Sequence, residues 1–211
     1  MEAPTSGPRR GPYAKSSRQR DEIIEAALAH FGQHGYHGAS MREIARNVGL
    51  SQAGLLHHFR TKADLLIAVL ESRDNLTGAM ARAAAARAED PLAGLVAVVE
   101  DNASHRQLVQ MFVVVSAEAT DDRHPAHDYF RQRAQQVIAW TRAGLRHAAD
   151  QGVVRSDLDL DSAARQCQAL MYGLQVQWLF DPTTDMVAQF EALLAGFAPS
   201  PPKDASSRPA R

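Results

Sequence analysis

The chain has 211 residues, a formal net charge of −1 and one cysteine, Cys167. That length can bury a sizeable core in one domain or two, and a lone cysteine excludes an internal disulfide framework or a cysteine-cluster metal site. The N-terminus carries charges and prolines in place of an apolar segment, and no run of eighteen apolar residues occurs, so neither a secretory leader nor a membrane span is expected and the cytoplasm is the default location. Residues 1–17, rich in Pro, Gly, Ser and Arg, read as a solvated basic tail, with Arg9, Arg10 and Lys15 able to reach a DNA minor groove. A first helix is expected from Arg18 to His34, with Phe31 and Tyr36 closing a small core and Gly35 and Gly38 breaking the helix before Ser40.

The stretch from Ser40 to Lys62 holds two helix starts separated by a tight turn. Ser40 and Glu43 match the S/T-x-x-E capping box, and Ile44, Ala45 and Val48 give the first short helix an apolar side. Gly49 stands where a left-handed residue can stop that helix, Leu50 is expected buried in the turn, and Ser51 is a second N-cap. In the following helix Leu55, Leu56 and Phe59 are expected inward, and Gln52, Ala53, His57 and His58 outward. Helix, glycine turn and helix is the plan that lays a second helix in the DNA major groove.

The chemistry of that second helix suggests roles. Ser51 caps or contacts the phosphate backbone, Gln52 can bond adenine through both amide atoms, and small Ala53 and Gly54 let the helix approach the groove. His57, His58 and Lys62 can donate to phosphates. Charge agrees with this placement: residues 1–62 carry nine Lys/Arg against five Asp/Glu, and residues 63–211 carry fourteen against nineteen.

The run G-Y-x-x-A-S-M-R-E-I-A-x-x-V-G-L-S-x-x-x-L-x-x-H-F-x-T-K-x-x-L, within a match from about Arg18 to Leu66, resembles the DNA-binding head of the tetracycline-repressor (TetR) family of transcriptional regulators. The resemblance implies an all-α chain of about nine helices, with a three-helix head at residues 18–66 and an effector-binding and dimerising body at 67–197. It also implies DNA contacts at Ser40, Gln52, Ala53, His57, His58 and Lys62, a double-stranded palindromic operator, a homodimer and a small-molecule effector that releases a repressor. One departure is Leu56, in L-L-H-H-F, which stands where the family usually has a phosphate-contacting Tyr.

Thr61 caps a long helix, Ala63 to about Ala88, with Leu65, Leu66, Val69 and Leu70 packing on the head and Leu76 and Met80 on the body; Pro91 prevents its continuation. The family is understood to use this helix as a lever that re-aims the head. Five more helices follow, at about 91–104, 108–119, 126–151, 159–180 and 184–197. The run from Met111 to Val115 has strand propensity but no second strand to pair with, so a central helix is expected there. Apolar stripes on the last two helices suit the four-helix dimer interface that the resemblance implies, and residues 198–211 read as a solvated tail.

Candidates for an effector pocket are Met111, Phe112, Tyr129, Trp140, Met171, Tyr172, Gln175 and Trp178, with Gln168, His105 or Glu118 as further polar anchors. No nucleophile motif, phosphate loop or zinc signature appears, so no enzyme and no cofactor is expected. His124, His127, Asp121, Asp122 and Glu118 belong to a loop and its flanks and read as solvated surface rather than a metal site. An architectural DNA binder without an effector is the alternative, and the acidic body argues against it.

Overall fold

Alanine, leucine and long unbranched side chains favour helix at most positions, and the computed structural model, which describes residues 12–87 and 90–199, contains nine helices and no strand among those residues. They are α1 (Pro12–Gly38), α2 (Met41–Asn47), α3 (Gln52–His58), α4 (Lys62–Arg87), α5 (Ala93–Ser104), α6 (Arg106–Glu118), α7 (His127–Asp150), α8 (Leu160–Phe180) and α9 (Met186–Ala195). The β-branched run of residues 113–115 lies inside α6, where tertiary burial overrides strand propensity.

Helix α1 begins earlier than expected, at Pro12, whose fixed φ suits a first helical turn. At its other end Gly35, with φ 66° and ψ −176°, breaks the helical path close to the expected stop. Arg9, Arg10 and most of the C-terminal tail lie outside the described residues. Side-chain caps fix the later helices: Asp159 accepts from the Asp161 and Ser162 amides at 3.1 and 3.2 Å, and Asp185 from the Ala188 amide at 2.9 Å. Thr61 and Asp64 cap α4 reciprocally, each side chain accepting the other's amide N–H at 3.0 Å.

The described residues form two compact units. The first comprises the chain up to Leu76 together with His105–Arg131, and the second Thr77–Ser104 together with the chain from Gln132 onward. In the first unit Ile23, Phe31, Ile44, Leu55, Phe59, Leu65 and Leu66 share a core with Met111 and Val115 of α6. Gly32 makes this approach possible, since a Cβ there would lie 3.3 Å from the Met111 Cβ. In the second unit Leu145, Cys167, Leu174, Met186, Phe190, Leu194 and Phe197 form the core, so the apolar stripe of α9 is largely consumed inside its own chain. Burial pushes the Cys167 thiol up to about 11. Leu76, expected to pack, is 70% exposed.

The turn between α2 and α3 depends on backbone conformation alone. Gly49 has φ 70°, and no atom lies within 4 Å of where its Cβ would stand. The Leu50 amide closes the turn on the Ala45 carbonyl at 2.8 Å. Gly49→Ala should therefore fold and keep its core but lose about 1–2 kcal/mol, measured by denaturant unfolding; unchanged stability would show that the turn tolerates an L side chain.

Candidate nucleic-acid interface

Helix α3 holds its position through few groups. Leu55 and Phe59, one helical turn apart, are buried, while Gln52, Ala53, Leu56 and His57 are exposed and Gly54 and His58 half-buried. Leu56 thus corrects the expectation that it faces inward: it is 39% exposed, and the step of about 100° from buried Leu55 carries it onto the outer side of this short helix. The face presented outward is Gln52, Ala53, Leu56 and His57, with the His58 ring 5.8 Å from that of His57. Ser51 Oγ accepts the Gly54 amide at 3.0 Å, so this hydroxyl serves as a cap. At the far end of α3 the Arg20 guanidinium of α1 lies 4.3 Å from the centroid of the Phe59 ring, a brace not recognised from the sequence.

The start of α2 departs from a simple capping box. Ser40 Oγ accepts the Glu43 amide at 3.4 Å, but the Ser40 amide donates to His30 Nε2 at 3.2 Å, with the Glu43 carboxylate 3.4 Å from the same nitrogen. One nitrogen cannot both accept from Ser40 and donate to Glu43. Burial, with His34 nearby, lowers the His30 pKa against the raising effect of Glu43, so the neutral ring that accepts from Ser40 is favoured.

Lys62 is half-buried. Its ammonium donates to the His37 and Ala39 carbonyls at 3.3 and 3.0 Å and lies 4.5 Å from the centroid of the Tyr36 ring. This cation therefore has a structural task at the α1–α2 connection. Against Tyr36 also packs His124, from the segment between α6 and α7, with ring centroids 4.9 Å apart. His124 is buried and accepts the Ala126 amide on Nδ1 at 3.2 Å. Burial lowers its pKa first, His37 adds to this, and the Glu118 and Asp121 carboxylates oppose it.

The proposed pocket residues fall into two groups, one in each unit. In the first, Met111 is packed on Gly32, Phe112 lies between the Arg73 guanidinium at 4.4 Å and the Phe130 ring at 5.3 Å, and the Tyr129 hydroxyl donates to the Asp74 carboxylate. In the second, the Met171 sulfur accepts from the Asn102 amide at 3.7 Å, and Gln175, one turn along α8, is buried with no hydrogen-bond partner for Oε1. Tyr172 and Trp178 are half-buried, and Trp140 is partly exposed beside Gly94. Among the further anchors, Gln168 donates to the Ala134 carbonyl at 3.3 Å, His105 is exposed, and Glu118 accepts the Tyr36 amide at 2.6 Å. Among the described residues no group of three or more His, Cys, Asp or Glu could hold a metal ion, and no helix is long and apolar enough to cross a membrane.

His30 and His124 give the first unit a defined acid response. Both have folded pKa values below the ordinary 6.5, so the unfolded chain takes up protons first as pH falls. Their contribution to stability is present above 6.5 and lost as pH drops through the folded values. The thermal unfolding midpoint should fall between pH 7 and 5, and His30→Gln/His124→Gln should flatten that fall; an equal slope in the double variant would remove these rings from the account.

Comparison with known proteins agrees with this geometry. Residues 23–69 match the family model of bacterial regulatory proteins of the tetR family, and residues 87–199 match that of the C-terminal part of BetI-type transcriptional repressors. The chain is 26% identical over 171 residues to the transcriptional regulator SrpR of Pseudomonas putida, covering 79% of this chain and 78% of that protein. It is 37% identical over 91 residues to the transcriptional repressor AcnR of Corynebacterium diphtheriae, a match that spans 42% of each chain. Among solved structures, a transcriptional regulator from Saccharomonospora viridis in complex with choline superposes with a TM-score of 0.72 at 26% identity, over 86% of this chain and 95% of that one. With a helix-turn-helix at residues 41–58 and family matches at both ends, the chain belongs to the TetR family of transcriptional regulators.

Proposed function

We propose that the chain is a repressor that binds a palindromic operator as a homodimer and leaves it when a small molecule occupies the body. The observation that carries this reading is the outward face of α3, where Gln52, Ala53, Leu56 and His57 are exposed on a helix anchored by buried Leu55 and Phe59. In this reading Gln52 reads an adenine, Ala53 and Leu56 touch thymine methyls, and Gly54 lets the backbone approach. Ser40, Ser51, His57 and His58 lie against phosphates. Two carbonyls take two of the three Lys62 N–H groups, leaving the third for phosphate.

In this reading the dimer forms through α8 and α9. With much of the α9 stripe in the core, the outer face of α8 carries the association, through Val176 at 39% and Phe180 at 87% exposure. The effector reading draws on the choline complex of the similar Saccharomonospora viridis regulator. Aromatic faces such as those of Tyr172 and Trp178 can receive a quaternary ammonium, which makes choline the first probe for a thermal-shift titration.

Operator fragments selected from genomic DNA test the reading. Gln52→Ala should cost about 1–3 kcal/mol at one or two operator positions, seen in anisotropy titrations on substituted sites; equal loss on every sequence would defeat its base-reading role. Lys62→Ala should weaken binding on all sequences and flatten the salt dependence by about one unit, together with a lower melting temperature from the lost carbonyl bonds. Val176→Arg should give a monomer by light scattering with operator affinity reduced at least about a hundredfold, and a variant that remains dimeric would move the interface elsewhere.

A further inference from the structure

The last residues of α1, from its break at Gly35 onward, are held by a residue that the DNA-binding reading does not use. Gly35 adopts φ 66°, a conformation that L side chains rarely enter, and the next amide, Tyr36 N–H, donates to Glu118 Oε2 at 2.6 Å. A Cβ on residue 35 would stand 2.3 Å from Glu118 Oε1, so the carboxylate occupies the space that glycine leaves open. Glu118 is the last residue of α6, at the other end from the chain's approach to that helix, and it is half-buried. Beyond Tyr36 the chain runs through His37 and Ala39, whose carbonyls are held by Lys62, to Ser40, which caps α2.

We propose that Glu118 is a positioning residue for DNA binding: its carboxylate fixes the left-handed turn at Gly35 and thereby lets the end of α6 set the aim of α2 and α3. This rests on the DNA-binding reading above. The link is short and directional. A hydrogen bond of 2.6 Å to a charged acceptor is lost over a displacement of about an ångström. Movement of the α6 end would free the turn, leaving Lys62 and His124 to hold the Tyr36 ring. Glu118 thus supplies a contact through which an effector that shifts α6 can weaken operator binding without touching α3.

The test compares Glu118→Ala and Glu118→Gln in the full chain, with Val99→Ala, a core truncation in the second unit, as a stability control. Operator affinity is measured by anisotropy well below the melting temperature, beside affinity for mixed-sequence DNA at low salt. Glu118→Ala should lose about tenfold in operator affinity, with mixed-sequence binding unchanged to within about twofold. Glu118→Gln, which keeps an acceptor oxygen, should recover most of the loss, and amide exchange at Tyr36 should rise in the alanine variant only. Full operator affinity in Glu118→Ala would overturn the proposal, as would an equal affinity loss in Val99→Ala at a matched fall in melting temperature. Failure of the unsubstituted chain to bind any selected DNA would overturn the DNA-binding reading itself, and this proposal with it.

Discussion

A seven-residue helix does not hold itself together in water, because nucleation costs more than so few hydrogen bonds return. The exposed face of α3 therefore exists only because Leu55 and Phe59 are buried in the core of the first unit, where α1, α4 and α6 meet them. The exposed side chains of α3 are positioned by those two anchors and by the caps at either end of the short helices. The dependence runs one way: the outward side chains contribute little to the fold, so they can vary without loss of the core.

Polar contacts then fix what apolar burial leaves loose. Apolar packing is non-directional and tolerates sliding, whereas the bonds from Ser40 to His30, from Lys62 to the His37 and Ala39 carbonyls and from Tyr36 to Glu118 each define one arrangement. They converge on the five residues from Tyr36 to Ser40, which run from the Gly35 break in α1 to the start of α2. The rings of Tyr36, His37 and His124 fill the space between these bonds at edge-to-face angles. Two of the participants are histidines whose burial favours the neutral form, so the region is at its firmest near neutral pH.

Much of this was legible in the chain. Ser40, Gly49, Ser51, Thr61, Asp159 and the Pro91 break are local signals, and each falls at or beside a helix boundary. The longer helices were legible because their stripes run for enough turns to show a period, and the short α2 and α3 because caps and Gly49 mark their ends. What sequence spacing missed is long-range. Glu118 lies 82 positions from the amide it receives, His30 ten from its partner, and Arg20 on a different helix from Phe59. Nothing at those positions marks them beforehand. Leu56 failed for another reason: in a helix of two turns this apolar side chain lies on the outer face, and composition does not say which side it takes.

The burial of Cys167 has a practical consequence. With its thiol near 11, only about one molecule in a thousand carries a thiolate at pH 8, and the sulfur is shielded by the core around α8. Since this is the sole cysteine of the chain, the native protein offers maleimides and disulfide reagents almost nothing to react with. A cysteine introduced on an exposed position of α3 or α8 would accept a fluorophore or spin label cleanly, without first deleting the native one, so distances can be followed in a chain with its core intact.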